Sequence, residues 1–515
     1  MMIGVPPMTA KKYPSTGARP EDARLGIFPS FAYGLQHVLT MYGGIIAPPL
    51  VLGQAGGMSQ GEIGTLIACA LFIGGLATIL QTLGVPFFGS KLPLVQGVSF
   101  SGVATMLAIQ GDGGIQAVFG AVIVASVIGL LAAPAFAMIV RFFPPVVTGT
   151  VITSIGLSLL PVAAGWVMGQ DAEAPEYGSV GNIGLAAFTL LLVVLLTKFG
   201  TPGIARLSIL LSLVLGTIFA VFVGAADFSQ VLSGPVFALP TPFAFGPPTF
   251  EVASIISMLI VILVTFTETT ADIIAVGEVV DTKVDSKRIA AGLRADMLSS
   301  AVSPIFNSFT QSAFAQNVGL VAITKVKSRF VVAAGGVILV VLGLLPVLGR
   351  VVAAVPSPVL GGVGIVLFGT VAASGISTLA KVDYRNNLNL IIVAVSLGFG
   401  LLPLVLPGIY DAFPSWFAVI FDSAISSTTI MAILLNVVFN HLVRRSNSQG
   451  NRSSSVAAAG SRAVPEEFLD ALQEGDHIVD GKLVDAEENE IPIVPTGTIR
   501  VVTGEDSAGG QELIP

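Results

Sequence analysis

Glu268 and Asp272 stand four residues apart inside the apolar run 253–280, so a helix there sets both carboxylates on one face. A carboxylate at the centre of a bilayer costs about 2.5–3.5 kcal/mol on insertion scales. The apolar runs contain no Lys or Arg to neutralise the pair, apart from Arg294 near one end of its run. The two acids must therefore be hydrogen-bonded, hydrated or protonated. A protonated pair can load a proton on one side of a membrane and release it on the other; a structural hydrogen-bonded pair is the alternative. Asp296 in the run 288–305 is a third acid of this kind, with pairing to Arg294 or helix capping as its structural alternative. His37 follows Gln36 in the first apolar run, where a lone histidine is as often structural as functional. His441 and His477 carry no assignment. The chain has no H-E-x-x-H, no Cys pair, no P-loop and no G-x-S-x-G elbow, so no metal, cofactor or ATP hydrolysis is expected.

Two polar, glycine-rich segments interrupt the apolar pattern. One is 92–102 (LPLVQGVSFSG), which holds Ser99 and Phe100; the other is 307–319 (NSFTQSAFAQNVG), which holds Phe314, Gln316 and Asn317. Irregular backbone at membrane depth is tolerated only inside protein or beside a watery cavity. Each segment is expected to enter as an extended stretch followed by a half-helix, the two half-helix N-termini presenting free N–H groups to a polar ligand near the midplane. A pair of small-residue packing seams is the alternative.

The elements that would position these groups follow from composition. The 515 residues are 53% hydrophobic and only 11% charged, with mean hydropathy +0.89. Soluble domains carry about 25% charged residues, so a soluble enzyme is excluded. The net charge of −7 and the lack of a basic excess exclude a nucleic-acid binder. The apolar runs are continuous rather than alternating, which excludes a β-barrel. One cysteine, Cys69, forbids an intramolecular disulfide. Fourteen apolar stretches fall at about 28–52, 62–84, 92–110, 114–140, 146–169, 183–198, 203–224, 253–280, 288–305, 312–324, 329–349, 357–378, 387–407 and 415–442. Most approach the ~20 residues that a bilayer requires. The reading is an all-α polytopic protein of 14 transmembrane segments.

Lys and Arg accumulate in cytoplasmic loops. With the N-terminus inside, 17 of the 18 basic residues before position 444 fall on the inner side, and Arg350 alone falls outside. Both termini are therefore expected in the cytoplasm, in a cell (plasma or inner) membrane. Residues 1–24 are polar and read as a tail rather than a cleaved signal. Residues 444–515 hold 13 acidic and 6 basic side chains and read as a largely flexible acidic tail, with a docking role as the alternative.

Pro145-Val-Val-Thr-Gly149 opens the fifth stretch and Pro358-Val-Leu-Gly-Gly362 the twelfth, and at that offset Ile152 meets Ile365 and Gly156 meets Gly369. Seven spans separate the two, so the copies insert in opposite directions, which is the inverted repeat of secondary transporters.

From Gln316 to Lys325 the chain reads QNVGLVAITK, which resembles the signature of the nucleobase–ascorbate transporter family, Q/E-N-x-G-x-x-x-x-T followed by a basic residue or Gly. The motif residues here are Gln316, Asn317, Gly319, Thr324 and Lys325. The Gln36-His37 pair and the Glu268/Asp272 pair agree with that family, and the resemblance covers about residues 25–443. It implies two inverted seven-span repeats. A core would comprise 26–140 and 253–350, a gate 141–252 and 351–443, flanked by the tails 1–25 and 444–515. It implies a homodimer, an elevator-type movement of the core, and proton symport of a nucleobase. The base would lie between the third and tenth spans, hydrogen-bonded by Glu268 and Gln316, with Asn317 supporting the tenth-span turn. His37 and Asp272 would shape the site and its proton coupling, and Asp296 matches a ninth-span Asp that matters for activity in the family. Ser99 stands where some xanthine-specific members have Asn. From their residue type, Phe100 and Phe314 are candidates to stack on the ring, with apolar packing as the commoner role of either. In the family Gln at the position of Gln316 accompanies xanthine and uric acid, and Glu accompanies uracil, so oxidised purines are the expected substrates. A uracil or broad nucleobase carrier is the rival; a sulfate-permease-type anion transporter is a further one, disfavoured by Glu268 and the short tail.

Overall fold

The computed structural model describes residues 19–139, 144–385, 387–442, 477–479 and 482–484. Most of both expected tails therefore lies outside the described residues. The helices in chain order are α1 (Ile27–Ala55), α2 (Gln60–Leu83), α3 (Val103–Ile139), α4 (Pro145–Ser158), α5 (Leu160–Met168), α6 (Val180–Phe199), α7 (Pro202–Arg206), α8 (Ser208–Phe222), α9 (Val252–Val280), α10 (Ser286–Val302), α11 (Ala315–Thr324), α12 (Arg329–Gly343), α13 (Pro346–Ala353), α14 (Ser357–Leu379), α15 (Asn387–Val405), α16 (Ser415–Phe421) and α17 (Ala424–Asn436). Among the described residues eight helical spans are long and apolar enough to cross a membrane, or nine if α12 and α13, bent by 78°, are one.

Several apolar stretches that read as single spans are interrupted. The run 146–169 is α4 followed by α5, with Pro161 in the first turn of α5. Pro346 likewise opens α13 after the bend. A proline has no N–H to donate and its ring clashes with the preceding turn, so it starts helices and breaks their interiors. Conversely α3 runs as one element through the expected boundary between the third and fourth spans. The boundary survives as a break at Gly114, whose φ of +70° is open mainly to glycine.

Both polar segments are extended, as their composition predicts. β1 (Gln96–Val98) and β2 (Gln311–Ala313) pair antiparallel, with Gln96 opposite Ala313 and Val98 opposite Gln311. A 3₁₀ turn, Phe100–Gly102, leads from β1 into α3, and β2 leads through Phe314 into α11. The pairing satisfies backbone groups that would otherwise be stranded at membrane depth. In the tail, β3 (His477–Val479) and β4 (Lys482–Val484) form a separate antiparallel pair.

The helices pack as two groups. One brings α1, α2, α3, α9, α10, α12 and α13 together; the other brings α4, α5, α6, α8, α14, α15 and α17 together. In the second group α4 crosses α14 almost backbone to backbone: a Cβ added at Gly156 would stand 2.2 Å from the Ala372 nitrogen. Small residues permit such crossings where lipid offers no hydrophobic drive for association. The outward faces of α6 and α15 are apolar, as at Leu191 and Val395, which suits a hydrocarbon surround.

Candidate functional site

The groups meet around a cavity of about 350 Å³, within the 300–1,000 Å³ range typical of small-molecule sites. Val98 and Phe100 come from the first broken segment, and Ser312 to Gln316 from the second. Helix α9 contributes Glu268, Ala271 and Asp272; the facing wall is Ile152 of α4 with Thr370, Val371, Ser374 and Thr378 of α14. Glu268 and Asp272 thus do share a face, and it is the cavity face.

Gln316 and Ala315 occupy the first turn of α11, whose leading N–H groups have no intrahelical acceptor. They reach the cavity wall, so backbone donors, the positive end of a helix, a carboxamide and a carboxylate all face the same space. Phe100 and Phe314 meet edge to face, 6.3 Å between centroids. Phe314 lies so close to β1 that a Cβ at Gly97 would stand 2.4 Å from its ring, which is why only glycine fits there.

Three residues expected at the substrate lie one layer behind the wall. Asn317 is buried; its Nδ2 donates to the Pro93 carbonyl at 2.6 Å, and its Oδ1 is 2.7 Å from His37 Nδ1. The amide orientation is fixed by the carbonyl, so Oδ1 is the acceptor and His37 carries its proton on Nδ1. His37 and Asn317 thereby tie α1, the 92–95 segment and α11 together. Ser99 bonds to Ser101 at 2.6 Å, and Ser101 to Thr265 at 3.1 Å, less than one turn before Glu268. The Ser99 N–H donates to Thr310 O across the two broken segments.

Asp296 is also off the cavity. It accepts from Thr269 Oγ1 at 2.6 Å and from Gln81 Nε2 at 3.2 Å. Pairing with Arg294 is not what the structure has: Arg294 reaches instead toward the Phe87 carbonyl. Asp296 is thereby bonded to the residue after Glu268 in α9. The remaining motif residues end the helix. Thr324 Oγ1 donates to Leu320 O, Lys325 takes a left-handed conformation at φ +57°, and Gly319 faces open space.

Sequence reasoning missed the α14 wall. Thr370, Ser374 and Thr378 recur every four residues within an apolar run, a polar stripe that marks a helix face turned toward water. Gln81, Thr265 and Thr269 were missed too; Gln81 and Thr265 sit in largely apolar helices, and Thr269 stands among the threonines that flank Glu268. No group of three His, Cys, Asp or Glu that could hold a metal occurs among the described residues.

Comparison with known proteins places this geometry in context. Residues 29–409 match the family model Xan_ur_permease, described as a permease family. The chain is 38% identical over 417 residues to the xanthine permease of Bacillus subtilis strain 168, covering 81% of this chain and 95% of that protein. It is 39% identical over 411 residues to the uric acid transporter UacT of Escherichia coli K12, covering 79% of this chain and 85% of that one. Among solved structures, the transmembrane domain of the cyanobacterial bicarbonate transporter BicA superposes with TM-score 0.52 at 15% identity, over 80% of this chain and 98% of that one. SLC26A9 superposes with TM-score 0.55 at 13% identity, over 80% of this chain and 65% of that one. At such identities the likeness to BicA and SLC26A9 speaks for the fold alone.

Proposed function

Since the chain belongs to the nucleobase–ascorbate transporter family and is a multi-pass membrane permease rather than an enzyme, we propose that it takes up xanthine or uric acid by proton symport. The observation that carries this reading is the convergence of Glu268, Gln316 and the α11 N-terminus on one cavity. A purine dione is a flat ring edged with N–H donors and C=O acceptors. The Glu268 carboxylate accepts N–H bonds, the Gln316 amide offers one donor and one acceptor for an oxo/N–H edge, and the Ala315 and Gln316 N–H groups suit a ring oxygen. Phe100 and Phe314 supply the apolar faces. Gln rather than Glu at 316 favours an oxidised purine over uracil, and the names of the relatives, a xanthine permease and a uric acid transporter, favour the same.

Glu268 is the proton carrier in this reading, with Asp272 beside it and Asp296 behind it through Thr269. Fourteen spans in two inverted repeats, with the group of α1–α3 and α9–α13 as the moving core and the other as the gate, would carry the site across the bilayer as an elevator. Antiparallel β1 and β2, each leading into a helix, are what two inverted copies would produce at their shared axis. Both termini lie in the cytoplasm of a cell-membrane homodimer. Uptake of labelled xanthine, urate and uracil into proteoliposomes, each in competition and with or without a proton uncoupler, tests this. Saturable xanthine or urate uptake that collapses with the uncoupler is expected. Saturable uracil uptake unaffected by excess xanthine would instead favour the uracil carrier.

A further inference from the structure

We infer that two hydrogen bonds, one of them fully buried, and an aromatic bridge bar the cavity from the outside, and that breaking them is a step of the transport cycle; this rests on the transport reading above. The cavity follows α14 from Thr370 to Ser374 to Thr378, one turn at a time, and α9 from Glu268 to Asp272. Those helices run on toward Lys381 and Lys283, on the basic cytoplasmic side. The site is therefore reached from within.

On the opposite side the two helix groups are joined. Trp166 Nε1, in the last turn of α5, donates to Gln54 Oε1, in the last turn of α1, at 2.5 Å. The indole is held in place by its own group: a Cβ on Gly364 of α14 would stand 3.1 Å from it. Its ring lies 6.0 Å from that of Phe368, and Phe368 meets Phe100 at 6.3 Å. The chain Trp166–Phe368–Phe100 thus runs from the outer end of α5 to the cavity wall. A second tie sits deeper. Thr105 Oγ1, in the first turn of α3, is 2.7 Å from Ser423 Oγ, and both residues are buried. Ser423 is the N-cap of α17 and accepts from Ser426 N, so its position is set before Thr105 meets it.

Both hydrogen bonds cross between the groups. A polar group left unpaired away from water is costly, so the buried Thr105–Ser423 pair and the buried Trp166 N–H, whose partner Gln54 is half-buried, resist separation until water reaches them. These contacts form only when the cavity faces inward, and they weight the resting protein toward that state.

Accessibility to a membrane-impermeant maleimide tests the barrier without relying on transport. The chain's one cysteine is removed with Cys69→Ser, and Ala315→Cys places a single reporter on the cavity wall. In this parent the reporter should label from the inside in inverted vesicles and poorly from the outside in intact cells. Trp166→Phe keeps the aromatic packing but loses the N–H; Thr105→Val keeps the shape but loses the hydroxyl. Each should raise labelling from outside about fivefold, the shift that a coupling of about 1 kcal/mol gives, and retained inside labelling reports that the variant has folded. Unchanged outside labelling in both variants overturns the barrier. Failure of xanthine and urate alike to protect the parent's reporter overturns the substrate reading instead, and leaves the barrier result standing.

Discussion

At the scale of single residues, Glu268 and Gln316 carry the account. Glu268→Gln keeps the size and a hydrogen-bonding end but cannot release a proton, so it should abolish accumulation against a gradient while leaving facilitated exchange; uptake with and without an imposed proton gradient checks this. Gln316→Glu replaces the amide donor with an acceptor. It should cut xanthine affinity relative to uracil by about 10-fold or more, since a mispaired polar edge costs about 1–3 kcal/mol. Competition curves read the ranking, and an unchanged order would remove Gln316 as the reader of the base. Asn317 acts through others. Asn317→Leu strands the Pro93 carbonyl and the His37 N–H, so it should lower the thermal midpoint by several degrees even without ligand; differential scanning fluorimetry measures that. The Glu268/Asp272 face was legible from spacing alone, and so was the polarity of both broken segments. That His37 and Ser99 support the wall rather than form it was not legible, and a supporting place for Asn317 was read only from the family resemblance. Which side of a wall an amide occupies depends on a partner such as Pro93, 224 residues away in the chain.

At the scale of elements, the broken segments were readable because a cluster of glycine and polar residues is ill suited to a lipid-facing helix, and the pairing of β1 with β2 is their physical resolution. The interruptions of α4–α5 and α12–α13 were masked by hydropathy, which averages over the prolines that cause them. Arg350, the one basic residue sorted to the outside, has a structural explanation. It is 7% exposed and not in an open loop; its Nε donates to Val231 O and its Nη2 to Pro235 O. Asn307 and Gln116 hold the same 231–249 segment through the carbonyls of Thr241 and Phe245. The strap following α8 is thus sewn to α13, to the α10–β2 turn and to α3. Arg350→Ala should loosen it, lowering the thermal midpoint and speeding proteolysis within 231–249, with substrate ranking unchanged; limited proteolysis mapped by mass spectrometry reads this out. Among the basic residues that the sorting assigns to the inside, Arg288 is ion-paired with buried Glu21 and Arg329 with Asp22. These ion pairs fasten the entry of α1 to α10 and α12.

At the scale of the whole molecule, the site lies at a seam: one wall belongs to β1, α9, β2 and α11, the other to α4 and α14. A seam can open to either side by relative movement of its walls, whereas a pocket inside one group cannot. The membrane class was legible from composition, because composition is a sum over many residues. The seam was hidden because it depends on which helices approach closely, and within the α4–α14 wall alone that is decided by small residues such as Gly156 and Gly375 against Ala372 and Thr153. Gly156→Leu should force α4 from α14, and reduced yield of folded protein in detergent, read by size-exclusion chromatography, is the expected outcome. The central claim, that this seam grips an oxidised purine and moves it with a proton, is tested most directly by proton flux in proteoliposomes reporting internal pH. The account predicts that xanthine or urate added outside acidifies the lumen of vesicles carrying the intact chain, and that Glu268→Gln abolishes the signal. Robust uptake of the purine with no accompanying acidification would contradict it.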